Sequence, residues 1–157
     1  MPVMEPNTQE ISLCDADIAD LTQLARWVDD ADTSWTISDL RLALQSHDNH
    51  VVIARCGELI AGFYYSVLVA GEETLRFIFV APQHRRLGIA RRLLQHLLQR
   101  AATGVYPVLL ELRQSNAAAL SLYQQSGFDI QGRRPAYYPA RNGKPREDAF
   151  LMARLPS

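Results

Sequence analysis

The sequence predicts a single α+β (α/β) domain, a mixed central sheet with helices on its faces. Three observations carry that expectation. The 157 residues suit one hydrophobic core of ordinary size. Segments with helical periodicity alternate with short apolar, β-branched runs. No internal repeat, low-complexity tract or Gly/Ser linker divides the chain. Residues 1–157 therefore read as one domain, with residues 1–9 a flexible N-terminal tail.

Taken in order, Ile18, Leu21, Leu24 and Ala25 recur at helical spacing and predict a helix from Asp15 to Trp27. Thr36 or Ser38 caps a second helix that runs to about Ser46, with Leu40 and Leu44 inward. His50 to Arg55 reads as a strand, Cys56-Gly-Glu as a turn, and Leu59 to Val69 as the next strand. After Gly71-Glu-Glu, a third strand spans Leu75 to Val80 and is closed by Ala81-Pro82. Leu87 to Ala102 is amphipathic: Ile89, Ala90, Leu93, Leu94, Leu97, Leu98 and Ala101 share one face. Val108 to Arg113 is a strand, and Ser115 or Asn116 caps a fourth helix ending at Gly127. Phe128 to Gln131 and Asp148 to Arg154 read as closing strands around a loop with an Asn142-Gly143 turn. The predicted order is α-α-β-β-β-α-β-α-β-β.

Composition excludes several classes. With 48% apolar and 21% charged residues the chain is neither disordered nor fibrous. It has no long apolar run and no signal-peptide pattern at its start, so no membrane association and a cytoplasmic setting are expected. Cys14 and Cys56 lack CxxC spacing, and His47, His50, His84 and His96 form no ligand pair; no metal and no disulfide framework are expected. Net charge is −1, yet residues 1–73 sum to −10 and residues 74–157 to +9. Either one end handles an anion and the other meets a cation, or the two halves interleave in one compact fold.

The most informative segment is Phe79-Val-Ala-Pro-Gln-His-Arg-Arg-Leu-Gly-Ile-Ala-Arg92, where a strand gives way to a long helix. The first turn of a helix has amides without partners and carries partial positive charge. Gly88 lets a ligand approach the backbone, and Arg85, Arg86 and Arg91 add full charges, which makes a pyrophosphate cradle. The alternative is an ordinary strand-to-helix turn with a solvated basic cap. Further on, Glu111 interrupts an apolar strand, so it faces solvent or is a partly buried carboxylate. Asn116 and Tyr123 are seven apart, on one helix face. Tyr123 taken alone is a core tyrosine.

Arg85-Arg-Leu-Gly-Ile-Ala90 resembles the R/Q-x-x-G-x-G/A acetyl-CoA signature of the GCN5-related N-acetyltransferase (GNAT) family. Leu110-Glu-Leu-Arg-Gln-Ser-Asn116, continuing to Leu122-Tyr123 and Gly127-Phe128, is similar to that family's strand and following helix. Closer still is the ribosomal-protein-alanine N-acetyltransferase (RimI-type) subgroup. There LEVRxSNxxAxxLYxxxGF precedes RxxYYP and EDAxxM, as in Arg134-Pro-Ala-Tyr-Tyr-Pro139 and Glu147-Asp-Ala-Phe-Leu-Met152. Trp35-Thr36 resembles the Trp-Ser/Thr pair ahead of the subgroup's second helix. The loop from Ala140 to Arg146 is more basic than that subgroup leads one to expect.

The resemblance implies a GNAT fold: a sheet of about 6–7 strands whose middle strands splay, with about four helices. It implies that Ile78, Phe79 and Val80 hold the pantetheine arm of acetyl-CoA. Arg85, Arg86, Leu87, Gly88, Ile89, Ala90 and Arg91 would take the pyrophosphate, and Asn116 would meet the pantetheine. Glu111 becomes the general base and Tyr123 the general acid, while Trp35, Tyr137 and Tyr138 face the acceptor. The expected activity is acetyl transfer to a primary amine, foremost the α-amino group (alanine) of a ribosomal or other protein. Small-molecule amines, polyamines and protein lysines stay open as acceptors, and a non-catalytic acetyl-CoA-binding module is the alternative from another class. The bases and tyrosines of residues 133–146 read as a solvated loop or a substrate lid ahead of a nucleic-acid contact. A monomer or weak dimer is expected.

Overall fold

The computed structural model describes residues 10–30 and 36–157. Among the described residues there are seven strands: β1 (Ile11–Asp15), β2 (Asn49–Cys56), β3 (Leu59–Val69), β4 (Glu72–Val80), β5 (Val108–Arg113), β6 (Asp129–Tyr138) and β7 (Glu147–Arg154). The described residues also form four α-helices: α1 (Leu21–Asp30), α2 (Ile37–Gln45), α3 (Ile89–Gly104) and α4 (Ala117–Gln125). The strands form one mixed sheet in the order β1-β2-β3-β4-β5-β7-β6, an α+β fold as expected. No helix among the described residues is long and apolar enough to cross a membrane. The chain gathers into two compact units, one made of the chain to Tyr65 plus Ile78–Leu93, the other of Ser66–Phe77 plus Leu94–Ser157.

In the first unit β1 pairs antiparallel with β2, Ile11 opposite Cys56 and Asp15 opposite Val52. This strand corrects the expected order, which opened on a helix at Asp15. Only Ile11 and Leu13 are half-buried in it, too short an alternation to read without its partner. The helix signal starts later. Asp17 accepts a hydrogen bond from Ala19 N–H at 2.8 Å and forms a capping box with Asp20, launching a 3₁₀ turn into α1. Thr36, not Ser38, caps α2, with Asp39 completing its box. Leu24, Leu40, Ile53 and Phe63 are fully buried, and the buried Asp20 is paired with Arg55. Trp27 stacks on Phe63 at 6.3 Å and meets Phe79 at 5.4 Å. Gly62 is required by close approach: a Cβ there would lie 2.6 Å from the Phe79 carbonyl oxygen.

In the second unit β4 and β5 run parallel, from Glu73 opposite Val108 to Leu75 opposite Leu110. β5 then pairs antiparallel with β7 along its whole length, and β7 with β6. Leu97, Val108, Leu110, Phe128 and Met152 are buried here. Glu73, expected in a turn, is only 1% exposed. The Ser66 hydroxyl donates to it at 2.7 Å and Arg100 pairs with it, so β4 starts at Glu72 rather than Leu75. A second correction concerns β6, which runs to Tyr138 and not to Gln131. Gly132 and Pro135 look like breakers in the sequence, but β6 is the last strand of the sheet, where an edge tolerates proline at a bulge. Arg133 to Tyr138 are therefore strand, and the loop is confined to residues 139–146.

Candidate active site

Alternation along β5 buries Val108, Leu110 and Leu112 and leaves Leu109, Glu111 and Arg113 half-exposed on the other face. β5 pairs with β7 along its whole length but with β4 only as far as Leu110, so Glu111 is the first residue beyond the β4 pairing. The Glu111 carboxylate, as a hydrogen-bond acceptor and a negative charge beside it, raises the Tyr137 phenol's pKa. Arg134 approaches the same carboxylate at 3.6 Å and lies 5.3 Å from the centre of the Tyr137 ring. Tyr138 sets its ring edge-on to Tyr137 at 5.1 Å, under the Arg113 guanidinium at 4.5 Å. Burial first, and then the Glu111 charge, push the Tyr138 phenol up to about 12.

Tyr123 is buried, edge-on to Phe128 at 5.7 Å. Desolvation, with a smaller contribution from Tyr138, lifts its pKa far above the ordinary phenol value. Tyr138 thus feels Glu111 on one side and is felt by Tyr123 on the other. Among the expected site residues, Glu111, Tyr123, Tyr137 and Tyr138 form one electrostatic cluster. Trp35 lies outside the described residues.

Neighbouring residues of a regular strand point to opposite faces, yet Tyr137 and Tyr138 both meet Glu111's surroundings. A bulge explains this. The β6–β7 register shifts between Arg134 and Tyr138, and Ala136 sits at φ 49°, in the left-handed region. Asp148 accepts from Ala136 N–H at 2.7 Å and from Arg133 Nε at 2.6 Å, which holds its carboxyl below the usual range. Arg146 Nε donates to the Ala136 carbonyl at 2.9 Å, clamping the same residue from its other side. Sequence reasoning assigned no role to Asp148, Arg134 or Arg146. One signal was present: only four acids follow residue 73, and Glu111, Glu147 and Asp148 all belong to this neighbourhood.

Glu147 accepts from Ser115 N–H at 2.6 Å and from Arg113 at 3.4 Å, fixing the turn between β5 and α4 and lowering its own pKa. Asn116 caps α4, its side-chain oxygen accepting from Ala119 N–H at 3.2 Å. Its side-chain NH₂ is not the capping atom.

The other expected elements fall in the first unit. Arg86 and Gly88 both have positive φ, 64° and 76°, so the turn before α3 is tightly wound. A Cβ at Gly88 would meet nothing within 4 Å. The space beside this backbone is therefore open. Gly88, Ile89 and Ala90 N–H precede the helix's own first bond, Arg92 N–H to Gly88 oxygen. Arg85, Arg86, Leu87 and Arg91 are exposed around them, and Arg85 Nε is tied to the Val80 carbonyl at 3.2 Å. Open glycine backbone, a helix N-terminus and arginines together fit a pyrophosphate. Ile78, Phe79 and Val80 are half-exposed at the end of β4.

The sequence profile of the acetyltransferase (GNAT) domain matches residues 47–130. The [ribosomal protein bS18]-alanine N-acetyltransferase of Escherichia coli K12 is 43% identical over 95 residues, which cover 60% of this chain and 63% of that relative. The chain thus spans under two thirds of that relative's length. The N-alpha-acetyltransferase RimI of Mycobacterium tuberculosis is 38% identical over 128 residues, 78% of this chain and 77% of the relative. A crystal structure of the ribosomal-protein-S18-alanine N-acetyltransferase from Escherichia coli superposes with a TM-score of 0.86 at 29% identity, covering 94% of this chain and 95% of that one. Profile, relatives and fold agree, and the chain belongs to the GNAT acetyltransferase family.

Proposed function

We propose that the protein transfers the acetyl group of acetyl-CoA to a primary amine, foremost the N-terminal α-amino group of a polypeptide such as a ribosomal protein. The observation that carries this reading is the half-exposed Glu111 carboxylate held among Tyr137, Tyr138 and Arg134. Bound acetyl-CoA would supply the thioester and the leaving thiolate. The amides from Leu87 to Arg91, with the side chains of Arg85 and Arg86, bind its pyrophosphate. Backbone groups of Ile78, Phe79 and Val80 and the side-chain NH₂ of Asn116 hold its pantetheine.

Glu111 takes a proton from the amine, directly or through one water. An α-amine with a pKa of about 7.7–8.0 is roughly 10–20% neutral at pH 7, whereas a lysine near 10.4 is far below 1%. A carboxylate is therefore a sufficient base for an N-terminal amine. Tyr123, kept protonated by burial, gives its proton to the departing sulfur. Tyr137 and Tyr138 orient the acceptor, with Trp35 as a third aromatic contact. The name of the RimI-type relatives supports alanine as the first acceptor residue.

The test is acetylation of alanine-initiated peptides, spermidine and a blocked lysine peptide by the wild type and by Glu111→Gln. Peptide N-termini should be preferred, and Glu111→Gln should lose about 10²–10⁴-fold in turnover. A free diamine or an internal lysine outcompeting every N-terminus would overturn the acceptor. Full activity in Glu111→Gln would overturn the base.

A further inference from the structure

The pairing of β4 with β5 ends at Leu75 opposite Leu110, while β5 stays paired with β7 through Glu111 to Arg113. Arg76 and Glu111 are the first residues beyond that last pair, one on each strand. Leu75 and Leu110 are both buried, so alternation turns Arg76 and Glu111 together to the opposite face. Arg76 is exposed there and Glu111 half-exposed. The charge of Arg76 reaches the same cluster. With Arg134, it opposes the rise that Glu111 imposes on the Tyr137 phenol.

A cation is an unexpected neighbour for a base that has to receive an amine, which in solution is mostly an ammonium. Other charges around Glu111 offset one another. Arg113 on β5 is met by Glu147 on β7 at 3.4 Å, and Asp148 is paired with Arg133. Tyr123 on α4 and Tyr137 and Tyr138 on β6 all have raised pKa values, so these phenols stay neutral at working pH. The Glu111 carboxylate thus shares its surroundings with two guanidiniums, Arg134 on β6 at 3.6 Å and Arg76 on β4 where the pairing ends.

We propose that Arg76 is a selectivity residue: its positive charge favours the neutral form of the acceptor amine at Glu111 and disfavours acceptors with a second ammonium group, such as polyamines. The inference rests on Glu111 receiving the amine of a polypeptide N-terminus. An ammonium near Arg76 is repelled, whereas the amine left after its proton departs is not. Lowering the bound α-amine by about one unit from 7.7–8.0 makes about half of it neutral at pH 7. A diamine gains less, because its second ammonium stays charged in the same field.

The experiment follows kcat for an alanine-initiated peptide from pH 6 to 10 in the wild type, Arg76→Gln and Arg76→Lys, with folding checked by thermal melting. kcat reports the bound amine, whereas kcat/KM reports the free one. At 0.1 M salt the acid limb of kcat should lie about 0.5–1 pH unit lower in the wild type than in Arg76→Gln. Arg76→Lys should keep the wild-type limb. At 1 M salt, where the Debye length falls from about 10 Å to about 3 Å, the wild-type limb should move towards that of Arg76→Gln. The ratio of kcat/KM for peptide over spermidine should drop by about tenfold in Arg76→Gln. Coincident limbs at 0.1 M, a lysine variant that behaves as glutamine, or an unmoved spermidine ratio would overturn the role of Arg76 and leave acetyl transfer standing. A lowered rate in Arg76→Gln with an unshifted limb would show a merely structural residue and overturn it too. A wild type that acetylates spermidine or an internal lysine ahead of every N-terminus would overturn the acceptor reading and this inference with it.

Discussion

Replacing Tyr123 by phenylalanine removes one oxygen and nothing else from a side chain that is 6% exposed. The ring keeps its edge-on contact with Phe128 at 5.7 Å. A hydroxyl's net contribution to stability is about 1 kcal/mol, so the melting temperature should move by only about 2–4 °C. The catalytic cost is expected to be much larger. Loss of a general acid lowers turnover by about 10²–10⁴-fold, or roughly 2.7–5.5 kcal/mol of barrier. KM for the peptide should stay within about twofold, because the phenol acts on the leaving sulfur and not on the acceptor. The pH profile sharpens the test. Burial holds the Tyr123 phenol protonated well beyond the ordinary range, so its ionisation should be invisible below pH ~10. Wild-type kcat/KM should rise with the deprotonation of the amine at about 7.7–8.0 and then stay level to about pH 10. The variant should keep that rising limb at a lower plateau. Steady-state kinetics from pH 6 to 10 reads all three quantities. Variant turnover within threefold of the wild type would refute the reasoning, as would a wild-type alkaline limb near pH 9 that the variant lacks.

Gly88→Asp should abolish detectable acetyl-CoA binding by calorimetry, since it sets a carboxylate beside the helix N-terminus at a position with φ 76°. Unchanged affinity would remove the pyrophosphate site from this turn. Asp148→Asn should lower turnover by roughly 10–100-fold through a loosened bulge. The same change should bring the Tyr138 titration down from about 12, followed by ultraviolet difference spectra. A lowered rate with an unmoved tyrosine titration would deny Asp148 a positioning role. Folded-state pKa values of Tyr123 and Tyr138 lie above the unfolded value of about 10. Their contribution to stability is thus intact below pH 10 and is lost as pH rises through the folded pKa, about 12 for Tyr138. Urea melts between pH 7 and 12 should show that decline, weaker in Tyr123→Phe/Tyr138→Phe; an equal decline in both proteins would contradict it.

Much of the fold was legible because its signals are local. β3 and β5 have the bounds read from their apolar runs. The buried stripe of α3 includes Ile89, Leu93, Leu94, Leu97, Leu98 and Ala101, as the periodicity requires. Asn116 caps α4, and Gly127, just beyond its end, has φ 90°. Glu111 drew notice as a charge in an apolar strand. The misreadings share a cause. β1 shows too little alternation to be seen apart from β2, and β6 contains residues that break strands everywhere except at an edge.

Chain order, helix faces, capping residues and the glycine turn before α3 were determined by the sequence itself, because each depends on residues within a few positions of one another. Tertiary structure alone decided what surrounds Glu111. Ser115 and Glu147 are 32 positions apart, Arg133 and Asp148 15, and Ala136 and Asp148 12. Such pairs leave no local pattern, since pairing of β5, β7 and β6 brings them together only after folding. The bulge at Ala136 makes the point most directly. In sequence, Tyr137 and Tyr138 are neighbours destined for opposite faces. In the fold, a carboxylate and a guanidinium from β7 and its approach hold one left-handed residue, and that backbone kink brings both phenols into the field of Glu111.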